Sequence, residues 1–186
     1  MAKIQVFSKF DFDELCYQNN WSDWNVESLG DKAFISICCT QDVAEHHLEE
    51  KDEHWFNESH PNVLNLDFDD IETDTKFGDN EEYIARAMTE DEATEILEFV
   101  EKNLGKDIYI HCRAGASRSQ GVFRAVCAIW PDIYDEKENY NENNPCITPN
   151  IHVVRLLKRV AMQKLENNDK QGSEGIIDEV QSMEKG

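Results

Sequence analysis

Basic residues are scarce in this sequence. Only 18 of its 186 residues are Lys or Arg, whereas 39 are Asp or Glu, and the formal net charge is −21. A chain this acidic repels the phosphates of nucleic acids and the headgroups of anionic lipids. We therefore expect neither nucleic acid nor a membrane among its partners.

Long apolar runs are missing as well. No stretch approaches the roughly 18 apolar residues of a membrane-spanning helix, and residues 1–15 lack the basic and then apolar pattern of a secretory signal. The six cysteines form neither closely spaced metal-ligand pairs nor a dense disulfide framework, which suits a reducing compartment. The sequence therefore predicts a soluble, cytoplasmic protein.

Hydrophobic residues nevertheless suffice for one core. They make up 40% of the chain and include 9 Phe, 5 Tyr and 4 Trp. The length is that of one ordinary domain. We expect a single domain over residues 1–166, followed by an acidic C-terminal tail over residues 167–186 that is helical or disordered.

Four short β-rich runs alternate with helical patterns. The runs cover residues 3–7, 33–39, 63–68 and 107–112, and the second is apolar almost throughout, as in a strand that is covered on both faces. This order of elements predicts an α/β fold with a parallel-type central sheet of about four or five strands and helices on both faces.

Three helices have recognisable ends. The first helix begins with a capping box at Thr89, and Gly105 ends its apolar pattern. The second helix is an apolar run over residues 118–130. The third begins at Thr148-Pro149, which is a typical helix start. The connections 69–88 and 131–147 are polar, and residues 19–32 remain an unassigned loop. For Trp21 and Trp24 in that loop a place in the core is favoured over the border of a cleft.

The segment from His111 to Ser119 lies where the fourth strand ends and a helix begins. In such a turn the backbone N–H groups and the positive end of the helix dipole converge on an anion. Gly115 allows positive φ or close backbone approach. Arg118, six residues after Cys112, can fold back and grip two phosphate oxygens.

A thiol at the floor of this loop acquires nucleophilic character. The donors that hold a phosphate also favour the ionised form of Cys112, which can attack phosphorus and form a phosphocysteine. Ser119 can donate a hydrogen bond to the sulfur when it leaves again. His111 is expected to be a buried hydrogen-bonding support.

The pattern His-Cys-x-x-Gly-x-Ser-Arg-Ser over residues 111–119 resembles the signature of cysteine-based protein tyrosine phosphatases of the small dual-specificity-like type. The resemblance covers about residues 33–163. It implies the protein tyrosine phosphatase-like fold and hydrolysis of phosphotyrosine, or of phosphoserine and phosphothreonine as well, without a cofactor or metal. It assigns catalysis to Cys112, Arg118 and Ser119. It assigns phosphate binding to Arg113, Ala114, Gly115, Ala116, Ser117 and Arg118.

The family also uses an upstream aspartic acid that protonates the leaving group. Several aspartates follow the strand over residues 63–68, and the spacing from that strand selects Asp70. Asp69 stays open as the alternative, because register is uncertain at strand ends.

Other functions remain open. The same loop could serve a catalytically silent phosphoprotein-binding module or a phosphatase for a non-protein phosphomonoester. The acidity suggests substrates with basic residues near the phosphate. Four histidines lie in or beside an acidic segment, namely His46, His47, His54 and His60. For these residues, surface positions on a polar helix are favoured over a metal site.

Overall fold

The computed structural model describes residues 2–40, 53–78, 83–135 and 147–183. Its centre is a four-stranded sheet in which every pairing is parallel. This confirms the predicted α/β class with a parallel sheet. In chain order the strands are β1 (Ile4–Ser8), β2 (Lys32–Cys38), β3 (Val63–Asp67), β4 (Thr75–Phe77), β5 (Tyr83–Ala85) and β6 (Asp107–Cys112), of which β4 and β5 form a separate antiparallel pair.

The order of the main sheet is β1-β6-β2-β3. The two inner strands, β6 and β2, are buried along almost their whole length, which explains their nearly continuous apolar sequences. Because β6 is an inner strand and ends at Cys112, the loop that follows it opens at the middle of the sheet edge. In α/β sheets this edge is where ligands bind.

Helices cover both faces of the sheet. They are α1 (Lys9–Gln18), α2 (Glu90–Lys102), α3 (Arg118–Ile129) and α4 (Ile151–Met183), with a short 3₁₀ helix at Val26–Ser28. On one face, α2, α3 and α4 bury the larger core, which includes Ile35, Ile110 and Val122. On the other face, α1 and the segment after it bury an aromatic core around Phe12 and Phe34. None of the described helices is both long and apolar enough to cross a membrane.

The helix α2 forms as the sequence predicts. Thr89 and Glu92 exchange the two hydrogen bonds of a capping box. The apolar positions face the core, and Gly105 adopts a φ of +84° three residues after the helix.

Local structure differs from the prediction at several places. The helix α1 was not predicted, because its first turn alternates an exposed Phe10 with a buried Phe12 in the manner of a strand. The polar connection over residues 69–88 contains the β4–β5 pair. Trp21 is buried, as predicted, whereas the prediction for Trp24 was wrong, since that side chain is 98% exposed. Its loop projects it away from the aromatic core.

Candidate active site

The segment 113–117 links the inner strand β6 to the helix α3. Cys112 is the last residue of β6, and Arg118 is the first residue of α3. Ser8, the last residue of β1, is the register partner of Cys112. The loop therefore starts at the sheet edge with the end of β1 on one side and that of β2 on the other.

Close packing against β1 explains the glycine at position 115. Gly115 has a φ of +67°, and a Cβ atom there would lie 2.6–2.7 Å from backbone atoms of Phe7 and Ser8. The N–H of Lys9 donates a hydrogen bond of 3.0 Å to the carbonyl of Arg113. Any side chain at position 115 would push the loop away from this support.

The Cys112 side chain lies at the base of the loop. It is 2% exposed, and its Sγ is 3.0 Å from the Oγ of Ser119, which is fully buried in the first turn of α3. The hydroxyl can donate to the sulfur when the sulfur is ionised. Around this base, Arg113 and Ala114 are exposed, while Ala116 and Ser117 are half-buried, and Gly115 is buried.

Arg118 is held by the ends of two neighbouring strands. Its Nη1 donates hydrogen bonds to the carbonyls of Cys38 (3.0 Å) and Phe68 (2.7 Å), and the residue is 5% exposed. Its Nε is buried without a hydrogen-bond partner among the described residues. A buried donor of this kind costs about 1–3 kcal/mol when it stays unpaired, so an anion that accepted this hydrogen bond would gain affinity from it.

Asp70 contacts the rim of the loop. Its Oδ1 accepts hydrogen bonds from the Ser117 hydroxyl (2.6 Å) and from the Asn150 side-chain amide (2.9 Å). The residue itself is exposed to solvent. An exposed carboxyl group at this position can reach a ligand in the loop and exchange protons with water.

Asp69 has a different environment. It is 4% exposed, and its carboxylate accepts hydrogen bonds from the N–H and hydroxyl of Thr40 and from the N–H of Arg86. These contacts join the segments that follow β2 and β5. Asp69 thus has a structural role at the sheet edge, because its buried carboxylate is engaged by these three donors.

Asn150 belongs to this site but was missed by the sequence analysis. Its side-chain oxygen accepts from the N–H of Val153, so it caps α4, while its amide group donates to Asp70 and its N–H to the carbonyl of Ser117. Thr148-Pro149 was expected to start the helix. The helix instead starts at Ile151, and an Asn directly before a helix was the local signal for this cap.

His111 is buried, but it is not a hydrogen-bonding support as predicted. Both ring nitrogens lack partners among the described residues, and the ring stacks on Phe12 with a centroid distance of 4.3 Å. Burial, followed by the positive charges of Lys9, His54 and Arg118, lowers the pKa of His111 to about 3. It is therefore a neutral packing residue beneath the loop.

Two of the four histidines considered as surface groups are instead largely enclosed. The ring of His60 lies 3.0 Å from carboxylate oxygens of Glu27 and Asp23, and its side chain is 7% exposed. The ring of His54 lies against the side chains of Ser36 and Cys38 from β2 and of Asp67 from β3. The surface prediction was wrong for both, because strand ends and acidic loops close over them. His46 and His47 lie outside the described residues.

Comparison with known proteins identified no relative. No family model, no curated protein and no solved structure matches the chain. The chemistry of the site is therefore inferred from its own residues and contacts.

Proposed function

We propose that this protein is a cysteine-dependent phosphatase of the protein tyrosine phosphatase type. It hydrolyses phosphotyrosine in proteins, with phosphoserine and phosphothreonine as further substrates if its pocket is shallow. The proposal is supported above all by one observation: Asp70, chosen from sequence as the acid, contacts Ser117 of the loop that starts at Cys112.

Phosphate binding follows from the groups around the loop. The backbone N–H groups of residues 113–117 and the N-terminus of α3 favour a dianion. The guanidinium group of Arg118 adds a charged donor at Nε, which has no partner among the described residues. The group is already held in place because its Nη1 donates to two strand carbonyls. Little reorganisation is then needed when the oxyanion binds.

In the first step the Cys112 thiolate attacks phosphorus. A sulfur–phosphorus bond forms while the phosphorus–oxygen bond to the substrate breaks, and Asp70 gives its proton to the leaving oxygen. The loop amides and Arg118 hold the three remaining oxygens. The products of this step are the dephosphorylated protein and a phosphocysteine.

In the second step water hydrolyses the phosphocysteine. Asp70, now a carboxylate, accepts a proton from the attacking water, and a phosphorus–oxygen bond replaces the bond to sulfur. The Ser119 hydroxyl, 3.0 Å from Sγ, donates a hydrogen bond to the departing thiolate. Inorganic phosphate is released and Asp70 has regained its proton.

Kinetics of a small variant set test this proposal. Wild type should hydrolyse an aryl phosphate and a phosphotyrosine peptide. Cys112→Ser should be inactive but still bind the peptide, and Arg118→Lys should raise KM and lower kcat because it loses the planar fork. Peptide binding without turnover by wild type would instead identify a silent phosphoprotein-binding module.

Substrate charge is expected to matter. The chain carries 39 acidic against 18 basic residues, so a phosphopeptide with basic flanking residues should approach faster than an acidic one. We expect kcat/KM for the basic peptide, but not for the acidic one, to fall as salt increases. Equal salt dependence of both peptides would contradict this preference.

A further inference from the structure

Three potential metal ligands meet at the sheet edge, next to the proposed phosphatase loop. Cys38 and Asp67 end β2 and β3, and they are register partners in the parallel ladder. Their side chains therefore point to the same face of the sheet. His54, from the segment that precedes β3, contacts both of them.

The distances within this group are short. The Nδ1 of His54 is 3.4 Å from the Sγ of Cys38, and its Nε2 is 3.0 Å from Oδ1 of Asp67. One ligand atom from each of the three residues lies within 4.8 Å of the others. The hydroxyl of Ser36, 2.6 Å from Nδ1, lies at the same place.

We propose that Cys38, His54 and Asp67 bind one divalent transition-metal ion, with Zn²⁺ the best chemical match. A thiolate, an imidazole and a carboxylate are the protein ligands that Zn²⁺ takes. Three such ligands leave a fourth tetrahedral position, which water or the Ser36 hydroxyl can fill. Mg²⁺ and Ca²⁺ prefer oxygen ligands throughout and fit this set poorly.

The geometry is close to what the ion needs. With a Zn–S bond of about 2.3 Å and a Zn–N bond of about 2.0–2.1 Å, a tetrahedral angle separates sulfur and nitrogen by roughly 3.6 Å. The Sγ to Nδ1 distance of 3.4 Å is near this value. The ring now uses Nδ1 for Cys38 and Nε2 for Asp67. With Nδ1 on the ion, the exposed Asp67 carboxylate has to shift from Nε2 to the metal, so it exchanges its hydrogen bond for a metal bond.

Burial and charge also suit an ion. Cys38 is 1% exposed, whereas the side chains of His54 and Asp67 are 18% and 59% exposed. An ion can therefore enter from the Asp67 side and reach a sulfur that is shielded from solvent. The thiolate and the carboxylate together balance the two positive charges of the ion.

The metal site and the phosphatase loop share a support. The carbonyls of Cys38 and Phe68 hold Arg118, while the side chains of Cys38 and Asp67 would hold the ion. A bound ion would tie the ends of β2 and β3 together. The proposed metal site does not depend on the phosphatase activity, because it uses none of the catalytic side chains.

Titration with Co²⁺, followed by competition with Zn²⁺, tests the site on the full chain under reducing, chelator-free conditions. We expect one Co²⁺ per chain, with the visible bands of tetrahedral cobalt and a thiolate-to-cobalt charge-transfer band in the near ultraviolet. Zn²⁺ should displace it. Cys38→Ser should abolish the charge-transfer band, and His54→Gln and Asp67→Asn should each weaken Zn²⁺ binding by about tenfold or more.

Matched controls separate this site from other thiols and histidines. Cys39→Ser changes the neighbouring cysteine, Cys112→Ser removes the thiol of the loop, and His60→Gln removes the other enclosed histidine. Each should bind Co²⁺ and Zn²⁺ like wild type. A charge-transfer band that persists in Cys38→Ser, or disappears in Cys112→Ser or Cys39→Ser, would overturn the proposal.

Thermal unfolding provides a second readout that does not need the cobalt spectrum. Zn²⁺ should raise the Tm of wild type and of the controls, because the ion binds the folded chain. It should raise the Tm of His54→Gln and Asp67→Asn less. If Cys38→Ser does not fold, His54→Gln and Asp67→Asn test the metal site without it. If both variants bound Zn²⁺ with the affinity of wild type, the proposal would be overturned.

Discussion

Asp70 and Ser117 are joined by a 2.6 Å hydrogen bond between Oδ1 and the Ser117 hydroxyl, although 47 positions separate them in the chain. The bond connects the segment after β3 to the loop after β6. Asn150 donates to the same oxygen from the start of α4. Three distant parts of the sequence thus meet at one carboxyl group on the rim of the loop.

The proposed role of Asp70 predicts a dependence on the leaving group. Asp70→Asn should lower kcat for a phosphotyrosine peptide by roughly 10²–10⁴-fold, the usual contribution of a general acid. An aryl phosphate whose leaving group needs no proton should be affected far less. Steady-state kinetics on both substrates measure the difference, and equal losses on the two would contradict the assignment.

Asp69 offers a matched comparison at the adjacent position. Its carboxylate accepts three hydrogen bonds from Thr40 and Arg86, so Asp69→Ala leaves three partly buried donors without their partner. We expect a loss of about 2–4 kcal/mol in the free energy of unfolding, against less than about 1 kcal/mol for the exposed Asp70→Ala. Urea unfolding measures both losses, and a larger loss for Asp70→Ala would contradict the structural role assigned to Asp69.

Asn150 should act through Asp70. Asn150→Ser keeps a capping hydroxyl for α4 but loses the amide that donates to Asp70. We expect little change in Tm, together with a lower kcat that is confined to substrates needing the acid. Combined with Asp70→Asn, it should lower kcat no further, and additive losses would contradict this coupling.

Gly115 and Gly105 form a natural pair for testing the loop. Both have positive φ, but a Cβ at Gly115 would overlap the backbone of Phe7 and Ser8, whereas one at Gly105 meets nothing within 4 Å. Gly105→Ala should cost about 1–2 kcal/mol of stability from backbone strain alone. Gly115→Ala should cost more and should also remove activity. Activity close to wild type in Gly115→Ala would show that the loop does not need this close packing.

His111 and His60 predict opposite dependences of protein stability on pH. The pKa of His111 falls to about 3 in the folded chain, so between about pH 6.5 and pH 3 the unfolded state binds a proton that the folded state does not, and stability declines as pH falls. His111→Phe keeps a ring beside Phe12 and removes this titration. Wild type should lose roughly 2 kcal/mol more than the variant between about pH 7 and pH 5.

His60 changes in the other direction. The hydrogen bond to Glu27 raises its pKa against the effect of burial, with Asp23 adding to the rise. Its contribution to stability is therefore complete below about pH 6.5 and is lost as pH rises through the elevated pKa. The stability difference between wild type and His60→Gln should be larger at acidic than at alkaline pH, and a difference independent of pH would refute the ion pairs.

Features encoded by adjacent residues were predicted well. The loop is encoded by one continuous segment, which contains the strand ending at Cys112, the turn through Gly115 and the helix starting at Arg118. All of its parts could therefore be predicted from that segment alone. The capping box at Thr89 is likewise complete within four residues. Local hydrogen bonds and apolar periodicity decide such elements.

Features that depend on strand pairing could not be predicted. The carbonyls of Cys38 and Phe68 hold Arg118 only because β2 lies beside both β6 and β3. The same pairing brings Cys38 and Asp67 to His54, and no spacing in the sequence indicates that contact. The helix α1 was missed because sequence patterns are ambiguous for short elements. The spacing of Phe10 and Phe12 is typical of a strand, and only the tertiary packing shows that this segment is a helix.

The most direct test of the proposed function is to trap the covalent intermediate. Wild type should be mixed with a ³²P-labelled phosphotyrosine peptide, quenched rapidly in denaturant, and digested for mass spectrometry. We predict a phosphoryl group on Cys112 that is absent from Cys112→Ser and that accumulates when Ser119→Ala slows its hydrolysis. Peptide turnover without any labelled Cys112, or label on another residue, would contradict the proposed function.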